Sequence, residues 1–117
     1  AAGCRYCQAH TAHSAHNAGA SQEKIAAAFE FESSSLFSDR ERSALRFAWH
    51  AALQPCAVEN EDYSQLKECF SEREIVEIAA VVSLFGFLNR WNDSLGTDLE
   101  DSPRTFAEKT LSELGWS

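Results

Sequence analysis

The stretch from Glu72 to Asp93 limits the possible folds of this chain more than any other. It opens on Ser71-Glu72-Arg73-Glu74, the S-x-x-E form in which a hydroxyl and a carboxylate satisfy each other's end amides at a helix start. It then carries Ile75, Val76, Ile78, Val81, Val82, Leu84, Phe85, Phe87 and Leu88. A helix over 72–93 with that pattern is apolar nearly all round, so it is either the central core helix or part of a subunit interface. Gly86 costs about 1 kcal/mol against Ala in its middle, and its missing side chain permits close helix packing. The longest apolar stretch, 75–88, contains Glu77 and Ser83. It falls short of the roughly 20 residues that span a bilayer.

The rest of the chain repeats this grammar of helix starts and stops. Residues 5–18 form a polar, Ala-rich helix that stops at Gly19, and Ser21 caps a second helix over 22–31. Ser38-Asp39-Arg40-Glu41 is another capping box. It opens a helix over 39–53 with Leu45, Ala48, Trp49 and Ala52 on one stripe, ended by Pro55. A shorter helix covers 60–69, with Tyr63, Leu66 and Phe70 facing inward. After an acidic linker, 94–103, a last helix over 104–114 is capped by Ser102, with Pro103 in its first turn. No strand pattern occurs, and 5 Gly and 2 Pro are too few for an all-β domain rich in tight turns. The expectation is a single all-α domain of 117 residues, with about six helices and a long apolar central one.

A net charge of −8 with no basic stripe argues against nucleic acid as a partner, and the same acidity argues against anionic lipid. The chain starts at Ala1, so a processed or missing N-terminal segment is expected. Four cysteines, at positions 4, 7, 56 and 69, do not form a disulfide framework. In a reducing compartment such as the cytoplasm, Cys4-x-x-Cys7 reads as redox or metal chemistry.

Two cysteines three apart at a helix start lie on one face, where unpaired amides and the helix dipole favour a thiolate. The spacing lets one sulfur attack the other once it is oxidised, which suits a thiol–disulfide or peroxide-reducing cycle. His10, one turn after Cys7, can hold a thiolate or relay protons, and His13 is a possible second relay member. Zinc is the competitor, with Cys4, Cys7, His10 and His13 as two sulfurs and two nitrogens. Each i+3 step rotates about 60° round a helix, however, so four ligands from one helix spiral away from a common centre. A thioredoxin-type site fails because no strand precedes the motif. His16 reads as exposed and His50 as a satisfied interior histidine. Cys56 and Cys69 read as small buried hydrophobes, and the three tryptophans as packing or interface residues.

The run Cys4-Arg5-Tyr6-Cys7 to His10-Thr11, then Ala18-Gly19 and Ser21-Gln22-Glu23-Lys24-Ile25, resembles the AhpD-like alkylhydroperoxidase and carboxymuconolactone decarboxylase-like family. Residues 37–45, 70–78 and 87–93 fit that family's later helices, so the resemblance spans roughly residues 3–100. It implies an all-α, usually homo-oligomeric, thiol-dependent peroxidase with no bound cofactor or metal. Cys7 would attack a small-molecule peroxide and Cys4 would resolve the sulfenic acid to a disulfide. A thiol or dithiol reductant protein would reopen the disulfide, while a histidine and an upstream glutamate relayed protons. Two features depart from the pattern. The family's relay histidine stands four residues after the second cysteine, where this chain has Thr11, and His10 stands one residue early. The upstream glutamate would precede Ala1, so either an N-terminal helix is absent from this sequence or another carboxylate substitutes. Two alternatives stand beside the peroxidase. One is a non-redox helical oligomer with structural or metal-binding cysteines. The other is a carboxymuconolactone-type decarboxylase, which would work unchanged with both cysteines replaced.

Overall fold

A computed structural model describes all residues 1–117. It contains six α-helices and no strands: α1 Arg5–Asn17, α2 Gln22–Ala26, α3 Asp39–Ala52, α4 Asn60–Cys69, α5 Glu72–Leu95 and α6 Asp101–Leu111. Tighter 3-10 turns, Ala27–Glu30 and Ser112–Leu114, extend α2 and α6. The chain forms two compact units, one of residues 1–2 and 31–87 and one of residues 3–30 and 88–117.

The first unit contains α3, α4 and the body of α5. Both capping boxes anticipated from sequence form. Ser38 Oγ accepts from the Glu41 amide at 3.2 Å while the Glu41 carboxylate accepts from the Ser38 amide at 2.9 Å. Ser71 and Glu74 do the same at 3.3 and 2.8 Å. Charged side chains tie α3 to α4 and α5. Arg46 donates to Gln65, Arg40 donates to the Cys69 carbonyl and to Glu74, and His50 Nδ1 sits 2.8 Å from Asp62 Oδ2. Leu66 is fully buried here, with Phe31, Phe37 and Ile75 also buried. Tyr63, expected to face inward, is 44% exposed. Its ring instead lies under the Lys67 ammonium, 4.5 Å from the centroid, a cation–π contact at the surface. Cys56, expected to be buried, is exposed.

The second unit packs α1 and α2 against α6. Its core is Ala9 and Ala12 of α1, Leu99, Ala107 and Leu111, and Trp116, with Tyr6, Ile25 and Phe106 half-buried around it. Alanines on the facing stripes of α1 and α6 let two short polar helices approach closely, and larger side chains complete the core. The sequence placed the start of α6 at Ser102, whereas its N-cap is Glu100 and the helix begins at Asp101. Pro103 therefore occupies the third helical position, where its missing N–H still costs nothing.

The longest helix, α5, is not the buried central helix the apolar pattern suggested. Val76, Val81, Leu84, Phe87, Trp91 and Leu95 are each more than half exposed, and only Ile75 and Asn92 along it are buried. An all-round apolar pattern states that a helix prefers cover without stating what covers it. No helix of the chain is long and apolar enough to cross a membrane.

Candidate active site

The site lies at the head of α1, within the second unit. Cys4 is the N-cap, with extended backbone, and its Sγ accepts from the Cys7 amide at 3.2 Å. Sulfur thus takes the place that a serine or aspartate oxygen usually fills, occupying the positive end of the helix. The same turn brings the two sulfurs to 2.7 Å, about 0.7 Å beyond a disulfide bond length of 2.03–2.05 Å. Both cysteines are buried, Cys4 at 2% and Cys7 at 7% exposure, and both are free thiols.

The pair is not symmetric. Burial pushes the Cys4 thiol up to about 12; its bond to Cys7 and the nearby Asp93 side chain push the same way, and the Cys7 amide pulls against them. Cys4 is therefore an S–H group at neutral pH, and it donates to Cys7 Sγ. Cys7 Sγ accepts a second, longer contact of 3.7 Å from the Asn92 side-chain amide of α5. Thr11, at the position where the resemblance would place a histidine, turns its hydroxyl back onto the Cys7 carbonyl at 2.7 Å.

His10 lies one turn along, and its partner is a carboxylate rather than a sulfur: Nε2 is 2.6 Å from Glu100 Oε2. The other oxygen of Glu100 accepts from the Tyr6 hydroxyl at 3.1 Å, and the Tyr6 and His10 rings lie 4.4 Å apart. Glu100 is held below the usual carboxylate range by its backbone amide, then by His10 and Tyr6. Burial and the neighbouring Glu100 push the Tyr6 phenol up, so it remains a donor. His13 sits apart, 3.4 Å from Ser102 Oγ and 3.5 Å from Asn17 Nδ2, with its ring against Phe106. The four groups proposed as zinc ligands thus diverge. The sulfurs face each other, His10 turns to Glu100, and His13 turns to Ser102.

A pocket of about 430 Å³ opens beside the cysteine pair. Arg5 and Tyr6, the two residues between the cysteines, line it together with Asn92, Asp93, Leu99 and Arg104. Neither cysteine is part of this lining. Trp116 clamps the turn from the C-terminal segment. Its Nε1 donates to the Arg5 carbonyl at 3.1 Å, and the Arg5 guanidinium lies 4.6 Å over its ring.

Sequence reasoning missed Glu100, Asn92 and Asp93 as site residues, and read Trp116 as a packing or interface residue without its bond to the Arg5 carbonyl. Glu100 sits in an acidic run, 98–101, that reads as a solvated loop. Asn92 carries no signal of its own, because Asn89, Arg90, Asp93 and Ser94 make the end of α5 largely polar.

The chain is similar in sequence and fold to known proteins. Residues 1–49 match the carboxymuconolactone decarboxylase family. The debrominase Bmp8 in its apo form shares the fold with a TM-score of 0.86 and 37% identity, over 93% of this chain and 59% of its own. A cysteine-to-alanine variant of Bmp8 in complex with 2,3,4-tribromopyrrole gives a TM-score of 0.85 and 35% identity, over 92% of this chain and 58% of its own. The uncharacterized protein YnjA of Escherichia coli (strain K12) is 28% identical over 92 residues, 79% of this chain and 50% of that protein. The chain thus spans half the length of that curated relative and just under three fifths of the solved structures it resembles.

Proposed function

We propose that this chain, a member of the AhpD-like, carboxymuconolactone decarboxylase-like family, is a thiol-dependent oxidoreductase whose two electrons come from Cys7 and Cys4. The observation that carries the reading is the 2.7 Å approach of the two sulfurs at the head of α1, one donating and one accepting. A pair so close closes to a disulfide with little backbone movement.

With a hydroperoxide as substrate, Cys7 thiolate attacks the distal oxygen. The O–O bond breaks, Cys7 becomes a sulfenic acid, and the alkoxide takes a proton and leaves as alcohol. Cys4 then attacks the Cys7 sulfur. The S–OH bond breaks, the Cys4 proton and the hydroxide leave as water, and the disulfide forms. A thiol or dithiol reductant gives two electrons and two protons to reopen it. His10 handles the proton in this reading, with Glu100 as the carboxylate behind it and Tyr6 on the carboxylate's other oxygen. Glu100 then takes the part of the substitute carboxylate, one of the two alternatives that the resemblance left open. His13, held by Ser102, is at most a second member.

The likeness to a debrominase favours a second substrate class for the same sulfur chemistry. Cys7 would take bromine from a brominated aromatic ring while the ring carbon takes a proton, and Cys4 would displace bromide to give the same disulfide. The cysteine pair sets both readings apart from a decarboxylase, which needs neither sulfur. The test is turnover of an alkyl hydroperoxide and of 2,3,4-tribromopyrrole with a dithiol reductant, by wild type, Cys7→Ser and Cys4→Ser. Turnover of either substrate that both substitutions abolish is the expected result. Turnover that survives both overturns the reading.

The exposed apolar side chains along α5 support assembly with further copies of the chain, which sedimentation would report as a mass above that of a monomer.

A further inference from the structure

The geometry points to Asn92 as a positioning residue that decides which of the two sulfurs acts as nucleophile. This deepens the thiol-dependent reading and rests on it. Asn92 lies near the end of α5, 85 residues along the chain from Cys7, and is 9% exposed. Its Nδ2 reaches Cys7 Sγ at 3.7 Å, while its backbone carbonyl accepts from the Thr97 amide at 3.1 Å, which fixes the helix end that carries it. An amide N–H donated to sulfur favours the anion over the neutral thiol, because the charged acceptor binds a donor more strongly.

The other sulfur meets the opposite polarity. Asp93, the next residue of α5, adds a carboxylate beside the Cys4 thiol, and a carboxylate accepts without donating. Adjacent residues of one helix thus offer a donor to Cys7 and an acceptor to Cys4. Both residues also line the pocket, so the donor that reaches Cys7 stands on the wall an incoming substrate would meet. The charged or titratable groups near the pair are Arg5 and Tyr6 from α1 and Asp93 from α5, with Asp98 before α6 and Arg104 within it on the same pocket wall. Packed along α1, α6 meets it through Ser102 and Phe106 at His13 and His16, two to three turns beyond the sulfurs.

The consequence is a division of labour made before any substrate arrives. Cys7 attacks first. Cys4 keeps its proton until the Cys7 sulfur carries a leaving group, then loses it as the disulfide closes. Removing the Asn92 donor should therefore affect the reduced state of Cys7 specifically, and not the thiol pair as a whole.

The test uses the reduced full chain and no substrate. Site-resolved alkylation by iodoacetamide at pH 7 gives the ratio of Cys7 to Cys4 modification, and equilibration with glutathione gives the disulfide potential. In Asn92→Leu, which keeps the volume and removes the donor, the Cys7 to Cys4 ratio should fall about tenfold. The dithiol–disulfide equilibrium should move about tenfold toward disulfide, roughly 30 mV more reducing. The difference in alkylation ratio should narrow as pH is raised, because bulk base then supplies the anion, whereas the difference in potential should persist, because the donor still binds the ionised sulfur. Asn92→Asp, which sets a carboxylate against Cys7, should move both readouts at least as far, and it decides the matter if the leucine variant loses its helical circular dichroism. An Asn92→Leu or folded Asn92→Asp variant with wild-type ratio and potential would overturn the assignment. Because no peroxide or bromopyrrole enters, a wild type that turns over neither substrate would sink the proposed function and leave this result standing.

Discussion

Trp116 provides a demanding test of how the site is held. It is the penultimate residue, where a chain commonly frays, yet it is 8% exposed and belongs to the core between α1 and α6. Its indole also bonds the backbone of Arg5, inside the Cys4-x-x-Cys7 turn. Truncating a buried tryptophan to alanine costs roughly 3–5 kcal/mol. Against a typical total of about 5–15 kcal/mol, Trp116→Ala should leave the second unit largely or wholly unfolded under mild denaturant. Trp116→Phe separates the parts. It keeps most of the apolar contact and a ring under Arg5, and it loses the indole N–H. The expected loss is about 1 kcal/mol for the hydrogen bond, with a further few tenths from the weaker cation–π contact. The assay is urea unfolding followed by circular dichroism at 222 nm, which does not depend on the indole. The Phe variant should keep the wild-type slope and shift the midpoint slightly, and the Ala variant should shift it several times further. Losses below about 0.5 kcal/mol for both variants would refute the clamp and mean that the C-terminal segment frays.

Further outcomes follow from the same contacts. Asp62, buried at 3% exposure, accepts from the Glu59 amide at 2.9 Å and from His50. Asp62→Ala should therefore cost about 1–3 kcal/mol, read as a lower urea midpoint for the first unit. Burial alone would push the Asp62 carboxyl up, but the Glu59 amide and His50 outweigh it and hold the carboxyl down. Its stabilising effect should therefore be complete above the unfolded value near 4 and be lost as pH falls through the lower folded value, so the wild-type advantage over Asp62→Ala should shrink in acid. Ala9→Leu adds three carbons at a position with no exposed surface and should destabilise by about 1–3 kcal/mol in the same unfolding assay. If His10 relays the proton, His10→Ala should lower turnover about 10²-fold or more and Glu100→Gln should lower it less, with the thiol count unchanged in both; equal turnover would remove His10 from the mechanism.

The local part of this structure was legible because its causes are local. Ser38 with Glu41 and Ser71 with Glu74 set two helix starts to the residue, and the spacing of Cys4 and Cys7 placed both sulfurs on the first turn of α1. The parts that were not legible depend on partners far along the chain. The sequence offers Cys4 as a motif member but not as the group that caps α1 through its own sulfur. Glu100 looked like one of several solvated acids until α6 was seen to begin beside it, which brings it to His10 and Tyr6. Tyr63 and Cys56 were assigned inward on residue type, although a surface cation can cover a ring and a loop can expose a thiol. Of the two readings of α5, central core helix or subunit interface, its exposed side chains remove the first, since apolarity on every face cannot identify which face the chain itself covers.

The central claim is that Cys7 and Cys4 together supply the electrons. Its most direct measurement is a single turnover. Reduced protein meets one equivalent of alkyl hydroperoxide or of 2,3,4-tribromopyrrole without reductant, and peptide mass mapping follows both cysteines. The account predicts that each substrate molecule reduced removes two free thiols and links Cys4 to Cys7, and that Cys4→Ser stops with Cys7 alone oxidised. Substrate reduced while both thiols remain free, or a disulfide that forms equally well through Cys56 or Cys69, would contradict it.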